Sequence, residues 1–154
     1  MKIISSCCLA LLLGACGAPA SDESALDSSA QELSSAAGAV FTGHLAVSST
    51  SLAVGTPFTV TESATNLTAN QVGPIIVGIY RVGFTVTAVQ KPRTGICRIA
   101  GSATCNFLEL AANETQSYTL TLVPTTPGTF TIKGWATSSY VAGGASEAVT
   151  VTVH

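Results

Sequence analysis

From Phe41 onward, apolar and polar residues alternate one by one in several stretches. A period of two puts residues i, i+2 and i+4 on one face of a strand, with one face buried and the other wet. "PFTVTESATN" places Phe58, Val60, Glu62 and Ala64 on one side and the threonines with Ser63 on the other. "SYTLTLV" turns Tyr118, Leu120 and Leu122 inward. "GTFTIKGWAT" turns Phe130, Ile132, Gly134 and Ala136 inward and Lys133 and Trp135 outward. "AVTVTV" closes the chain in the same rhythm. Turn residues break the runs at Gly55-Thr56-Pro57, Lys91-Pro92-Arg93, Ala112-Asn113-Glu114 and Pro124 to Gly128. Threonine and valine dominate, and β-branched side chains suit a pleated, half-buried surface. The pattern predicts seven to nine short strands and no helix over residues 41–154.

Strands of this length with regular turn signals describe an all-β, immunoglobulin-like antiparallel β-sandwich. The N-terminal pattern is different. Lys2 precedes an apolar run from Ile3 to Leu13, followed by small residues. That is the layout of a secretory signal, and the run is too short to span a bilayer as a permanent helix. Its end, Leu13-Gly14-Ala15-Cys16, resembles the lipobox of bacterial lipoproteins. The resemblance implies cleavage before Cys16, a diacylglycerol on its thiol and often an acyl group on its new amine. Residues 1–15 are then a signal peptide, and Cys7 and Cys8 leave with it. Several acyl chains hold far more firmly than one, at about 0.8 kcal/mol per buried methylene. Gly17 follows the cysteine where an Asp would retain such a protein at the inner membrane, which favours the outer membrane.

Residues 17–40 are mostly Ala, Ser and acids, with no aromatic residue. They hold Asp22, Glu23, Asp27 and Glu32, four of the eight carboxylates of the chain, and no base. Such composition cannot bury enough apolar surface to order itself. Residues 16–40 therefore read as a lipidated cysteine with a flexible linker, spanning on the order of 27 Å. Overall, 9% of the 154 residues are charged, 47% are hydrophobic and the net charge is −2. These values exclude a largely disordered chain, and they speak against a nucleic-acid binder, which needs a dense basic face.

"GICRIAGSATCNFLEL" at 95–110 sets Cys97 and Cys105 eight apart. Zinc wants four ligands, and only His44 and His154, both distant, accompany the pair. A redox pair favours Cys-x-x-Cys at a helix start, which is absent. A structural disulfide fits an exported domain with an even cysteine count. The wider stretch resembles the prokaryotic surface repeat catalogued as domain of unknown function eleven. The matching residues are Gly95, Cys97, Thr104-Cys105-Asn106, Leu110, the strand Tyr118 to Val123, Pro124 and Gly128-Thr129, with "AVGTPFTVTESATNLT" ending at Asn66 in the first half. The match covers about residues 45–139. It implies an exported immunoglobulin-like sandwich, cysteines paired across a hairpin, and an adhesive or architectural role. Two departures stand out. "GIYRVG" at 78–83 replaces a Thr-Asp-x-Leu-Pro segment, and Glu62 occupies an inward position that is usually apolar. A lone buried carboxylate is costly, so Glu62 is expected to find a partner or reach the sandwich end.

Candidate chemistry is sparse. The domain has Glu62, Glu109, Glu114, Glu147 and His44, no Asp, and no nucleophile, phosphate-loop or metalloprotease motif. The reading is a protein that is not an enzyme and uses no cofactor or metal. An isopeptide cross-link is disfavoured because Lys133 points outward. Asn66-Leu67-Thr68 and Asn113-Glu114-Thr115 read as turns. Arg81, Lys91, Arg93 and Arg98 form a weak basic cluster in sequence. Trp135 and Tyr140 are the candidate ligand contacts, because outward aromatic side chains stack on sugars or anchor protein partners. The expected role is a lipid-anchored, non-catalytic envelope or surface module for adhesion, protein interaction or envelope architecture. The alternative is a carbohydrate-binding module using Trp135 and Tyr140. The expected partners are the membrane, through Cys16, and an envelope protein or polysaccharide.

Overall fold

A computed structural model describes residues 38–154; the signal, Cys16 and nearly all of the linker lie outside the described residues. Ten strands follow one another: β1 (Phe41–Val47), β2 (Ser51–Leu52), β3 (Phe58–Asn66), β4 (Ile75–Tyr80), β5 (Phe84–Gln90), β6 (Ile96–Arg98), β7 (Ala103–Phe107), β8 (Thr115–Pro124), β9 (Gly128–Thr137) and β10 (Ala145–Val153). The count exceeds the expected seven to nine because β2 and β6 have only two and three residues. Segments that short cannot display an alternation. No helix forms among the described residues.

The strands build two sheets, ordered β1-β3-β8-β5 and β2-β10-β9-β4-β7-β6. All pairings are antiparallel except β2 with β10, which is parallel. "GIYRVG" supplies the last three residues of β4 and the turn into β5. The closing run "AVTVTV" lies in the second sheet, paired with β9 along its whole length on one edge and with β2 only at Thr152 and Val153 on the other.

The inward faces are those the alternation marked. Phe58, Val60, Ala64, Tyr118, Leu120 and Leu122 from the first sheet meet Ile75, Val77, Ile79, Ile132 and Val151 from the second, all buried. Each Val, Leu, Ile and Phe among them contributes roughly 1.5–3 kcal/mol by leaving water. The Tyr118 hydroxyl donates to the carbonyl of Ala103 at 2.8 Å, which joins the two sheets through the core. At one pole Phe58, Phe84 and Phe130 pack edge to face, with centroids 5.3 and 5.2 Å apart. Near the other pole the buried Asn66 amide donates to the carbonyls of Asn70, Leu110 and Ala111. Its own carbonyl accepts from the Thr68 amide. One side chain thus ties the β3–β4 connection to the β7–β8 connection from inside the sandwich.

Candidate functional site

The sequence singled out five residues, and four are described. Cys97 and Cys105 stand opposite one another on β6 and β7 and are joined as a disulfide. The Cys105 side chain is buried, and the bond fastens the three-residue β6 to the sheet. Trp135 projects outward from β9 and packs across Gly78 of β4, its register partner. A Cβ on Gly78 would run into the indole, so glycine is what lets the ring lie against the strand. Tyr140 lies in the β9–β10 connection and is 76% exposed. The structure does not bring Trp135 and Tyr140 into ring contact. The lipidation site Cys16 lies outside the described residues.

Among the described residues, the titratable side chain of Glu147 lies near Glu62 and beside His44. Among the described residues no three His, Cys, Asp or Glu side chains come together to hold a metal. Glu62 is buried between the sheets. The expectation that it would find a partner or reach the sandwich end is not met, since its Oε2 has no hydrogen bond. Glycine at 43 and 134 leaves space for the carboxyl, and at Gly134 the carboxyl occupies the place of a Cβ. Burial, and then the nearby Glu147 carboxylate, push its pKa up to about 8. It is therefore a neutral acid at ordinary pH. Glu147 points inward from β10, accepts from the Leu45 amide at 2.8 Å and pairs with His44 Nδ1 at 3.1 Å. It caps an edge amide of β1, so its role is structural.

Two of the four members of the basic cluster are engaged locally. Arg81 donates to the carbonyls of Gly101 and Ile99, and its partial burial lowers its pKa. Arg93 pairs with Glu114 at 2.7 Å. The Glu114 carboxyl is held below its usual range, first by the Ala111 amide and then by Arg93.

What remains is a contrast between two outer faces. On the four-stranded sheet the outward residues of the β3–β8 ladder are Thr59, Thr61, Ser63 and Thr65 beside Thr115, Ser117, Thr119 and Thr121, and His44 and Ala46 of β1 and Val123 of β8 share that face. Hydroxyl pairs tie the ladder together, Thr61 to Thr119 and Thr65 to Thr115, each at 2.8 Å. On the six-stranded sheet the register aligns Ile96, Asn106, Ile76 and Thr137 in one row. The next row holds Arg98, Thr104, Gly78, Trp135 and Ser146. Tyr80, Lys133 and Ala148 follow. Ile76, Tyr80 and Ile96 are 38%, 48% and 67% exposed. Lys133 and Arg98 are exposed, and no salt bridge engages them among the described residues. No carboxylate points outward from this sheet. Sequence reasoning placed Trp135 and Lys133 here but missed Ile76, Tyr80 and Ile96.

These features define an all-β, immunoglobulin-like sandwich of the kind used in surface repeats. Residues 45–153 match the BatD DUF11-like domain, and the chain belongs to that family. No curated protein matches the chain. Among solved structures, the fold is similar to a CARDB domain from Pyrococcus furiosus, with 16% identity and a TM-score of 0.51 over 74% of this chain and 94% of that one. It is also similar to the third cohesin of ScaC from Acetivibrio cellulolyticus, solved with the ScaB dockerin. That match has 11% identity and a TM-score of 0.54, over 73% of this chain and 98% of that one. A non-cellulosomal cohesin from Archaeoglobus fulgidus has 12% identity and a TM-score of 0.50, over 73% of this chain and 91% of that one. At such identities the likeness is one of fold.

Proposed function

We propose that the protein is a non-catalytic interaction module, held in the bacterial cell envelope by lipid on Cys16 and carried clear of the membrane by the linker of residues 17–40. The observation that carries this reading is the set of exposed apolar side chains on the outer face of the six-stranded sheet, against an opposite face whose central ladder carries only hydroxyls. Soluble monomers rarely leave several large apolar side chains together on a flat sheet without a use for them. The family assignment supports a surface role, and the dockerin-bound cohesin shows that a sandwich of this fold can serve protein recognition. An outer-membrane location is supported by Gly17 after the cysteine.

Metabolic labelling with an alkynyl fatty acid tests the anchor. Wild type should take up label and fractionate with membranes, and Cys16→Ser should do neither. Label on the Cys16→Ser protein would remove the anchor assignment.

A second reading, carbohydrate binding, draws on Trp135 lying across Gly78 on the uncovered face, with Tyr140 as a separate exposed aromatic. Its check is the emission of the single tryptophan during titration with envelope polysaccharides. Unchanged emission, with unchanged cell binding by Trp135→Ala, removes it.

A further inference from the structure

We propose that the outer face of the six-stranded sheet docks a partner protein presenting an apolar centre rimmed by carboxylates. The inference rests on the interaction-module reading and adds the face and the chemistry of the partner. Three observations carry it.

The first is the asymmetry of the sandwich. Each sheet buries an inner face, yet the large apolar side chains exposed on strands, Ile76, Tyr80 and Ile96, all belong to the six-stranded sheet. Trp135 is partly exposed there. On the β3–β8 ladder of the other sheet every outward residue is Thr or Ser. A solvated sheet needs no isoleucine pointing at water, and the hydroxyl face shows what this chain uses where none is wanted.

The second is charge. Lys133 and Arg98 flank the apolar residues, and among the described residues no acid shares the face. The four carboxylic side chains of residues 38–154 all lie elsewhere: Glu62 in the core, Glu147 against β1, Glu114 with Arg93, and Glu109 with Gln71. Rim charges of one sign select a partner of the other sign and speed encounter. They also disfavour a second copy of the same face, which would set Lys133 and Arg98 against like charges.

The third is side-chain type. Branched aliphatics on a flat surface gain most from another packed apolar surface, which removes their whole exposed area from water. A sugar ring uses the aromatic side chains but gains little from Ile76 and Ile96.

The test is photocrosslinking on intact cells of the source organism, with the full lipidated chain carrying benzoylphenylalanine at Tyr80 or Ile96. Ser117, exposed on the hydroxyl face, is the control position. Crosslinked peptides are sequenced by mass spectrometry. The expected result is one protein, joined through a segment bearing Asp or Glu, at least tenfold above the Ser117 control. Lys133→Glu with Arg98→Glu should cut that yield at least fivefold, whereas Lys133→Arg with Arg98→Lys should keep it. Unchanged circular dichroism would show that the charge-reversed domain still folds. A glycan adduct at Tyr80 and Ile96 overturns the protein partner and leaves the interaction module standing. A yield indifferent to charge reversal overturns the carboxylate rim. No adduct at any of the three positions overturns both readings.

Discussion

Glu62 sits beside Gly43 and Gly134 with one oxygen unpartnered, so the neutral acid is the form the fold accepts. This has a direction in pH. Below the unfolded value of 4.5 both states are protonated and the side chain adds no pH-dependent cost. Between 4.5 and the folded value of about 8, the unfolded chain releases the proton and the folded one keeps it. Stability then falls by about 1.4 kcal/mol per pH unit, and the loss is complete above the folded value. Glu114 works in the opposite sense, but its stabilisation is lost only in acid, below the Glu62 window. Thermal unfolding of wild type should therefore drop between pH 5 and 8, and Glu62→Gln should flatten the profile. A flat wild-type profile would contradict the buried neutral acid. The same packing predicts that Gly134→Ala, whose methyl meets the Glu62 carboxyl and Leu45, costs about 1–3 kcal/mol in urea unfolding. The cost should shrink when Glu62→Ala is present, because the two sites share one space. Alternation alone showed that Glu62 points inward. Its lack of a partner depends on which residues of β1 and β9 arrive opposite, and no local pattern encodes that.

The long strands were legible because nine or ten residues give several periods of alternation, as in β3, β8 and β9. The short ones were not. β6 exists because Cys97 is bonded to Cys105 and because Arg81 holds the carbonyls of Ile99 and Gly101 in the following turn. The disulfide closes a loop of nine residues, which in the chain-entropy account is worth about 2.6 kcal/mol. Cys97→Ala with Cys105→Ala should lower unfolding stability by that order. Faster amide exchange should be confined to β6 and the turn after it. Exchange that rises equally in β3 and β8 would show that the bond supports the whole sandwich and not its edge.

For the whole molecule, the sandwich was readable and the face was only half readable. Lys133 and Trp135 share a strand, so their common direction follows from sequence. Ile76, Tyr80 and Ile96 join them only because β4 lies between β9 and β7, with β6 outside β7, an order set by chain crossovers between the sheets. Cross-strand proximity of this kind has no signature in one-dimensional periodicity.

The strand directions have a mechanical consequence. β10 runs alongside the N-terminal stretch of the domain: Phe41 bridges Gly143 in parallel, Glu147 holds the Leu45 amide, and Ser51 and Leu52 pair with Thr152 and Val153. The described chain thus begins beside the start of β10 and finishes at its far end, roughly 30 Å away at 3.4 Å per residue. A pull between those two ends is directed along the strands. It loads the β1–β3 and β9–β10 ladders in shear, so their hydrogen bonds share the force and do not open one after another. A domain tethered at one end and dragged from the other would yield late.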